Sequence, residues 1–467
     1  MPETVAGFPY WEVSFDEHGN LARSAEVDAL LAEMPGQALT DLFIFSHGWQ
    51  NDRPTARALY TGFFAEMRDV LDRPATPMLR QATIGTVGVI WPSKRWADEP
   101  LPAPPRGGAA SFRRPSPASA NDADLVLDLK TVFTAPEQQQ ALDELARLLA
   151  DRPSDPQALD RFQDLMRTLA GDTASSMAVN APEDNGEAAG LLQDRPTNVF
   201  NRFATVAPRR RAGGAAGIGD VFSRLWDGAK EALRQLTYWQ YKHRAGVIGK
   251  QGLGPLLDRL HDAQADLRIH LLGHSFGARL VSFALAGLPD HLTGADAAGR
   301  SESPIKSVTL LQGAFSHFSF ADALPHDRDR SGALTDMDRR VDGPLLATHS
   351  VHDTAVGMLY ALASIAGRDD AAAADDIFFR WGSIGHDGAQ AVNAAAVRFG
   401  PVGERYPFTP GGFVNLNGDD VIKRMQPIEG AHGDIFHPEI AWATLAAAGI
   451  AGSPSGETPS PHGRGPG

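Results

Sequence analysis

The stretch from 267 to 287 reads Leu267-Arg268-Ile269-His270-Leu271-Leu272, then Gly273-His274-Ser275-Phe276-Gly277, then Ala278-Arg279-Leu280-Val281-Ser282-Phe283-Ala284-Leu285-Ala286-Gly287. Its first six residues are short and apolar enough to form a buried strand. Its last ten are small and apolar at helical spacing, and Gly287 stands where a helix would end. The pattern therefore predicts a strand, a turn of the form G-x-S-x-G and a helix.

This order of strand, turn and helix favours a chemical role for Ser275. A serine on so sharp a turn has a strained backbone, and glycines two residues to either side let neighbouring backbone pass without Cβ clashes. The free N–H groups and the positive dipole end of the helix favour an oxyanion at the same point. Ser275 is thus a candidate nucleophile, although in a chain with 47 glycines the same letters also suit an ordinary turn with an inert serine.

With this turn the sequence resembles the α/β-hydrolase superfamily, in its serine esterase and lipase branch, with Gly273-His274-Ser275-Phe276-Gly277 as the nucleophile elbow. The resemblance implies an α/β-hydrolase fold, in which a mostly parallel central sheet is flanked by helices. It extends over about 8–92, 240–290 and 303–448.

A second motif supports the resemblance. The apolar run 38–46 leads directly into His47-Gly48-Trp49. In α/β hydrolases a His-Gly pair after an early core strand supplies half of the oxyanion hole, so the resemblance implies the backbone N–H groups of Trp49 and Phe276 as the two donors. A glycine turn that merely ends the strand is the alternative.

Elsewhere along the chain, short apolar runs alternate with stretches of helical periodicity. Strands are predicted at 8–15 (an edge strand), 38–46, 84–92, 305–312, 343–350 and 412–417. Helices are predicted at 25–34, 57–71, 136–150 (capped by Thr134), 156–170, 220–244, 254–263, 354–366 and 439–448. The strand-helix-strand order favours crossover connections and a largely parallel sheet. The glycine-rich stretch 246–252 has Gln251 where a phosphate loop carries its magnesium-binding hydroxyl, so it is predicted to be a turn.

The segment 93–238 is longer than a crossover requires. We interpret it as an insertion into an α/β core formed by 1–92 and 239–451. Its parts 93–123 and 171–219 are too rich in proline, glycine and polar residues to pack, whereas the helices around them carry apolar stripes. We expect a helical cap over the active site. The alternatives are a helical layer on the far side of the sheet and a helix that touches a membrane surface.

A serine hydroxyl becomes a strong nucleophile when a base removes its proton, and the base works best beside a buried carboxylate. Ser275, Asp353 and His432 follow one another in the chain, each beyond a predicted strand. We predict them as nucleophile, acid and base, because Ser, acid, His is the chain order of α/β hydrolases. The resemblance adds that the family's base is followed by a small residue and an aspartate, as in His432-Gly433-Asp434.

Two of these roles have alternatives. Asp353 also suits the N-cap of a following helix, in which case Asp322 or Asp327 is the acid. His437 is a second candidate base. Since Pro438 favours an extended residue before it, His437 is expected at a helix start, where it caps or packs.

The 467-residue chain has a net charge of −14 and no cysteine. The charge argues against a general nucleic-acid binder, and the missing cysteines exclude disulfides, zinc-thiolate sites and a cysteine nucleophile. Clustered histidines lack metal-ligand spacing, so we expect no metal and no other cofactor. We expect a cytoplasmic protein, since there is neither a signal peptide nor a run of about 20 apolar residues. Residues 452–467 are predicted to be a disordered tail.

Together these features predict a serine hydrolase that cleaves a small-molecule ester or lipid-like substrate through an acyl-enzyme intermediate. A peptidase or amidase with the same triad is the second interpretation. The third is a catalytically silent scaffold that binds a protein partner through its insertion. The elbow, the acid and the histidine together argue against the silent scaffold, which has no need of all three.

Overall fold

The computed structural model describes part of the chain. It comprises residues 1–49, 51–74, 77–93, 126, 129–130, 133–171, 191–192, 194–204, 218–293, 303–354, 382–424 and 430–452. The predicted loops at 94–123, most of 172–217, the predicted helix after Thr354 and the tail from 453 lie outside the described residues.

Nine strands of the described residues form one sheet, in the order β1-β2-β4-β3-β5-β6-β7-β9-β8. The strands are β1 (Glu3–Val5), β2 (Phe8–Ser14), β3 (Asp41–Ser46), β4 (Ile84–Ile90), β5 (Arg268–His274), β6 (Ile305–Leu311), β7 (Leu345–His349), β8 (Ala394–Arg398) and β9 (Phe413–Asn417). β1 is antiparallel to β2, and all other neighbours are parallel. The predicted α/β class with a mostly parallel sheet is confirmed.

Helices cover both faces of this sheet. They are α1 (Ser24–Glu33), α2 (Arg53–Leu71), α3 (Pro136–Asp151), α4 (Pro156–Ala170), α5 (Pro196–Ala204), α6 (Ile218–Val247), α7 (Gly254–Ala263), α8 (Phe276–Ala286), α9 (Ile384–Asp387) and α10 (Pro438–Ala447). Short 3₁₀ turns lie at Met34–Gln37, Asp290–Leu292 and Met337–Arg340. Within the described part of the chain, no helix has the length and apolar character to cross a bilayer.

The alternation of side chains along β3 divides the core into two layers. Leu42 and Ile44 belong to the apolar cluster that α1, α7 and α8 cover. Phe43 and Phe45 point to the opposite face, into the cluster that α2 and α10 complete. Because successive side chains of a strand alternate between faces, a strand such as β3, which is buried along its whole length, requires helices on both sides of the sheet.

The strand order reverses between β3 and β5. From β3 the chain crosses to β4 on one side, whereas from β5 it continues to β6 and β7 on the other. In open parallel sheets such a reversal leaves a crevice at the carboxyl ends of the two strands, and ligands bind there. The turns after β3 and β5 carry the His-Gly pair and the G-x-S-x-G motif.

Three features of the fold differ from the sequence analysis: two predictions are wrong, and one strand was not predicted. The strand at 8–15 is not at the edge, because β1 pairs with β2 outside it. β8 is unpredicted, since Ala394–Arg398 has little β-propensity of its own. The N-cap of α3 is Ala135 rather than Thr134, and Gln138 Oε1 accepts the Ala135 N–H at 3.3 Å.

The predicted turn at 246–252 is also wrong. α6 continues through a π-helical segment, Ile248–Leu253, into α7 without a break. Glycine serves close packing here: a Cβ on Gly249 would lie 2.9 Å from Phe283 Cβ and closer still to the Leu280 carbonyl on α8. Tertiary packing therefore overrides the weak helix propensity of glycine.

The insertion and the core share one helix. α6 passes through the predicted boundary at 238 without interruption. Its first half packs with α4 and α5, where Phe162 lies edge-on to Phe200 and Trp226 at ring distances of 5.7 and 5.6 Å. Near its end, the Lys242 carbonyl accepts a hydrogen bond from Arg279 Nε at 2.9 Å. The second half of α6 is thus joined to the core helix α8.

A buried polar chain ties three strands together at the amino end of the sheet. His270 Nε2 on β5 donates to Asp41 Oδ1 on β3 at 2.9 Å, and His270 Nδ1 accepts from Ser307 Oγ on β6 at 2.8 Å. Burial alone would raise the pKa of Asp41, but hydrogen bonds from His270 and Arg80 outweigh it and hold that pKa well below its usual range. All three strand residues are buried, so this Ser-His-Asp chain is structural.

We expect Asp41→Asn to lower the free energy of unfolding by about 3 kcal/mol at pH 7, because Arg80 and His270 lose their buried anionic partner. A carboxyl group whose pKa is lower in the folded state than in the unfolded state adds stability above the unfolded-state pKa. This stability is lost as the pH falls through the folded-state pKa. The difference in the free energy of unfolding between Asp41→Asn and wild type should therefore be smaller at about pH 3 than at pH 7. Urea denaturation measures it, with the exposed Asp69→Asn as control. Equal losses at both pH values would contradict the account.

Candidate active site

Ser275 occupies the strained turn between β5 and α8. Its backbone has φ 59° and ψ −123°, a region that residues with side chains rarely adopt. Strand β6 and its loop stabilise this conformation: the Ser275 N–H donates to the Leu311 carbonyl at 3.1 Å, and the Ser275 carbonyl accepts from the Ala314 N–H at 3.2 Å. Such strain persists where the surroundings over-determine it, and it is concentrated at functional sites.

Glycine is required at the elbow because two backbone segments nearly touch. A Cβ on Gly277 would lie 2.5 Å from the His47 carbonyl oxygen and closer to that of Ser46. A Cβ on Gly48 would lie 2.5 Å from Ser275 Cβ. The turn after β3 therefore lies directly against the turn after β5.

The peptide between Gly48 and Trp49 is held in one orientation. The Gly48 carbonyl accepts from His47 Nδ1 at 2.8 Å, from Asn51 Nδ2 at 3.2 Å and from Ser93 Oγ at 3.0 Å. Because a trans peptide is planar, its N–H points away from its carbonyl. Three donors on one oxygen thus fix the direction of the Trp49 N–H.

His47 takes part through its side chain, which the sequence did not indicate. Its ring is buried and stacks on Trp91 at 5.4 Å with an interplanar angle of 7°. Burial lowers the pKa of His47 to about 4, so the ring is neutral at physiological pH. Its single N–H, on Nδ1, is then committed to Gly48, and Nε2 accepts from the Trp91 N–H at 3.4 Å.

Phe276, the other residue expected to donate, is the first residue of α8, so its N–H has no acceptor within the helix. Aromatic rings surround both expected donors. Trp49 lies 6.2 Å from the Phe276 ring, and Tyr238 of α6 lies 5.7 Å from Trp49 and 4.9 Å from Phe276. The insertion helix therefore packs against the side chains of both residues.

Asp353 and His432 lie in direct contact. Asp353 follows β7 and is fully buried, and its Oδ2 is 2.8 Å from His432 Nδ1. A carboxylate accepts, so the His432 proton is on Nδ1 and Nε2 remains as a proton acceptor. The loop of His432 docks on the acid loop because the Ala431 N–H donates to the His352 carbonyl at 3.1 Å. The structure thus joins residues that are 79 positions apart.

The other candidate acids are not partners of His432. Asp327 Oδ1 accepts the Asp329 N–H at 3.3 Å within its own loop. Asp322 lines a separate cavity of about 260 Å³ with Asp338 and Phe413, at the amino end of β9. Among the described candidates, Asp353 is the one in contact with a candidate base.

His437 has a different partner from His432. Its Nε2 lies 3.0 Å from Asp434 Oδ1, and its backbone is the extended N-cap of α10. Asp434 Oδ2 also accepts from the N–H groups of Lys423 at 3.1 Å and Arg424 at 2.8 Å. Asp434 and His437 therefore fix the loop that carries His432.

Sequence reasoning also missed the roles of two further residues at the site. His274, the second residue of the G-x-S-x-G turn, donates from Nε2 to the His432 carbonyl at 2.9 Å, and their rings are 4.8 Å apart. Burial lowers the pKa of His274 to about 3, so it is neutral. Gln312 donates to Asp353 Oδ2 at 2.9 Å. Neither contact has a local signal, since its partner is 158 or 41 positions away.

The structure therefore brings four features together at the carboxyl edge of the sheet: the strained Ser275, the oriented Gly48–Trp49 peptide, the start of α8 and the Asp353–His432 pair. Among the described residues, no group of three or more histidine or carboxylate side chains is arranged to hold a metal ion. Comparisons of the chain with protein families, with curated proteins and with solved structures find no match. An assignment of function therefore depends on the chemistry of these residues.

We expect Gly277→Ala to destabilise the protein by about 3 kcal/mol or more, because the new methyl group meets two backbone carbonyls that cannot move independently of β3. Thermal unfolding followed by circular dichroism measures this. Gly36→Ala is the control, since a Cβ there has no neighbour within 4 Å. Equal melting temperatures for the two variants would contradict the close approach of the two turns.

Proposed function

We propose that this protein is a serine hydrolase of the α/β-hydrolase type that cleaves carboxylic esters. Ser275 is the nucleophile, His432 the general base and Asp353 the acid, and the N–H groups of Trp49 and Phe276 form the oxyanion hole. The observation that carries the proposal is the Asp353–His432 contact at 2.8 Å in a loop whose backbone accepts a hydrogen bond from His274, the neighbour of Ser275.

The chemistry follows from the roles of these groups. Ser275 Oγ attacks the ester carbonyl carbon while His432 Nε2 takes the hydroxyl proton, and Asp353 stabilises the imidazolium. The two N–H groups stabilise the oxyanion of the tetrahedral intermediate. The C–O bond to the alcohol then breaks, and His432 returns the proton to the leaving oxygen. Water attacks the acyl-enzyme in the same way and releases the carboxylic acid product and the free serine.

The architecture supports this type of hydrolase. The nucleophile turn connects a central parallel strand, β5, to a buried helix, α8. The proposed triad has the chain order Ser, Asp, His; the nucleophile directly follows β5, and the acid lies in the loop after β7. Strand, elbow and helix together with this chain order are the features that define the α/β-hydrolase arrangement.

We also propose that the insertion caps the site and selects apolar, ester or lipid-like substrates. Support comes from the end of the insertion, where Tyr238 of α6 lies 5.7 Å from the Trp49 ring. A helix that packs on a residue of the proposed oxyanion hole is near enough to control access. This contact favours a cap over a helical layer far from the site.

We expect Ser275→Ala to abolish covalent labelling by a fluorophosphonate probe and hydrolysis of short p-nitrophenyl esters, because no other residue replaces the attacking oxygen. Labelling is read by mass spectrometry of the intact protein. Ser282→Ala, on the following helix α8, is the control, since that buried hydroxyl donates to the Ala278 carbonyl. Full labelling of the Ser275 variant would move the nucleophile elsewhere, and an unlabelled wild type would favour a silent scaffold.

We expect His432→Ala to reduce turnover roughly a thousandfold or more, as removal of a triad base generally does. His437→Ala should reduce it far less, because His437 pairs with Asp434 and acts on the loop only through that contact. Ester hydrolysis measures both effects, with circular dichroism to establish that each variant is folded. The reverse ranking would assign the base to His437.

A further inference from the structure

Gln312 occupies an unusual backbone position beside the proposed active site. It directly follows β6, it is fully buried, and its φ is 47°, in the left-handed region that favours glycine. The next residue, Gly313, would tolerate such a conformation without strain, yet the strained position carries a long side chain. Strain of this kind is retained where the surroundings require that side chain at that point.

The Gln312 amide is hydrogen-bonded at both ends. Nε2 donates to Asp353 Oδ2 at 2.9 Å and to the Gly385 carbonyl at 2.9 Å. Oε1 accepts from Thr348 Oγ1 at 2.8 Å, and the Gln312 N–H donates to the same hydroxyl at 3.0 Å. A carboxylate and a carbonyl only accept, so the amide orientation is determined by its partners.

We propose that Gln312 is a positioning residue for the proposed hydrolase: it shares Asp353 Oδ2 with His432 and thereby sets the orientation of the carboxylate and the proton affinity of the base. This inference depends on the proposed function. The two N–H donors are 2.9 and 2.8 Å from the same oxygen. A carboxylate that is neutralised in part by an amide attracts the His432 proton less than one that is bonded to the imidazole alone.

Other titratable groups surround this pair and remain unchanged in a Gln312 variant. His274 contacts His432 from the elbow, and His352 adjoins Asp353 in the acid loop. On α9, next to Gly385, His386 Nδ1 lies 2.6 Å from Asp387 Oδ1. On the base loop itself, Asp434 faces His437. A difference between two pH profiles therefore isolates the effect of Gln312.

The test compares Gln312→Leu, which removes the donor, with Gln312→Glu, which keeps the shape and adds a negative charge. The readout is the pH dependence of the rate of fluorophosphonate labelling, which requires neutral His432. Both changes raise the proton affinity of His432, so the acidic limb of the profile of labelling rate against pH should move to higher pH. The expected shift is about half a pH unit for leucine and about one unit or more for glutamate. The rate at the optimum should fall roughly 10- to 100-fold.

Two further variants keep the test decisive. Thr348→Val leaves Asp353 untouched but removes the hydroxyl that orients the amide, and should shift the limb in the same direction by less. Gln264→Leu is the matched control at the opposite end of the sheet, where the amide donates to the Leu39 carbonyl, and should leave the limb in place.

The possible outcomes separate the two proposals. Slower labelling with an unmoved acidic limb in folded Gln312 variants would show that Gln312 supports the fold alone and would overturn the inference. If the Gln312 variants do not fold, an unmoved limb in Thr348→Val would overturn it equally. A wild-type protein that is not labelled at Ser275 at any pH would instead refute the proposed function.

Discussion

The close approach of two backbone turns governs this structure. The turn after β3 and the turn after β5 pass so near each other that neither Gly48 nor Gly277 can carry a side chain. This approach is possible because β3 and β5 are adjacent, parallel and in register from Asp41 with Arg268 to Ser46 with Gly273. Everything at the carboxyl edge of the sheet is positioned relative to these two turns.

The same three residue types have different roles at the two ends of the sheet. At the amino end, Asp41, His270 and Ser307 are buried within strands, and they hold three strands together. At the carboxyl end, Ser275, Asp353 and His432 lie in turns and loops beyond the strands, and Ser275 has a strained backbone. The carboxyl end is also where the strand order reverses, and open α/β sheets bind ligands in the crevice at such a reversal.

Hydrogen bonds converge on two oxygen atoms of the candidate site. The Gly48 carbonyl has three donors, from His47, Asn51 and Ser93. Asp353 Oδ2 accepts from both His432 and Gln312. Supporting contacts of this kind hold reactive groups in one geometry before a substrate arrives. Ser93 is also the first residue of the insertion, so its hydrogen bond to the Gly48 carbonyl connects the insertion to the candidate site.

The sequence by itself determined the class of the fold, the buried strands and the turn at Ser275. These follow from local signals: apolar runs, helical spacing and glycine positions, which predicted α4 at 156–170 to the residue. It also identified Asp353 and His432 as acid and base candidates, because chain order is visible in the sequence, although their functional roles remain proposals.

Only the tertiary structure decided the remaining features. The helix through 246–253, the strand β8 and the contacts of His274 and Gln312 depend on neighbours that are distant in the chain. His274 and His432 are 158 positions apart, and Asp353 and His432, which lie in contact, are 79 positions apart. Pairing across strands and loops is set by register and packing, which no short stretch of sequence encodes.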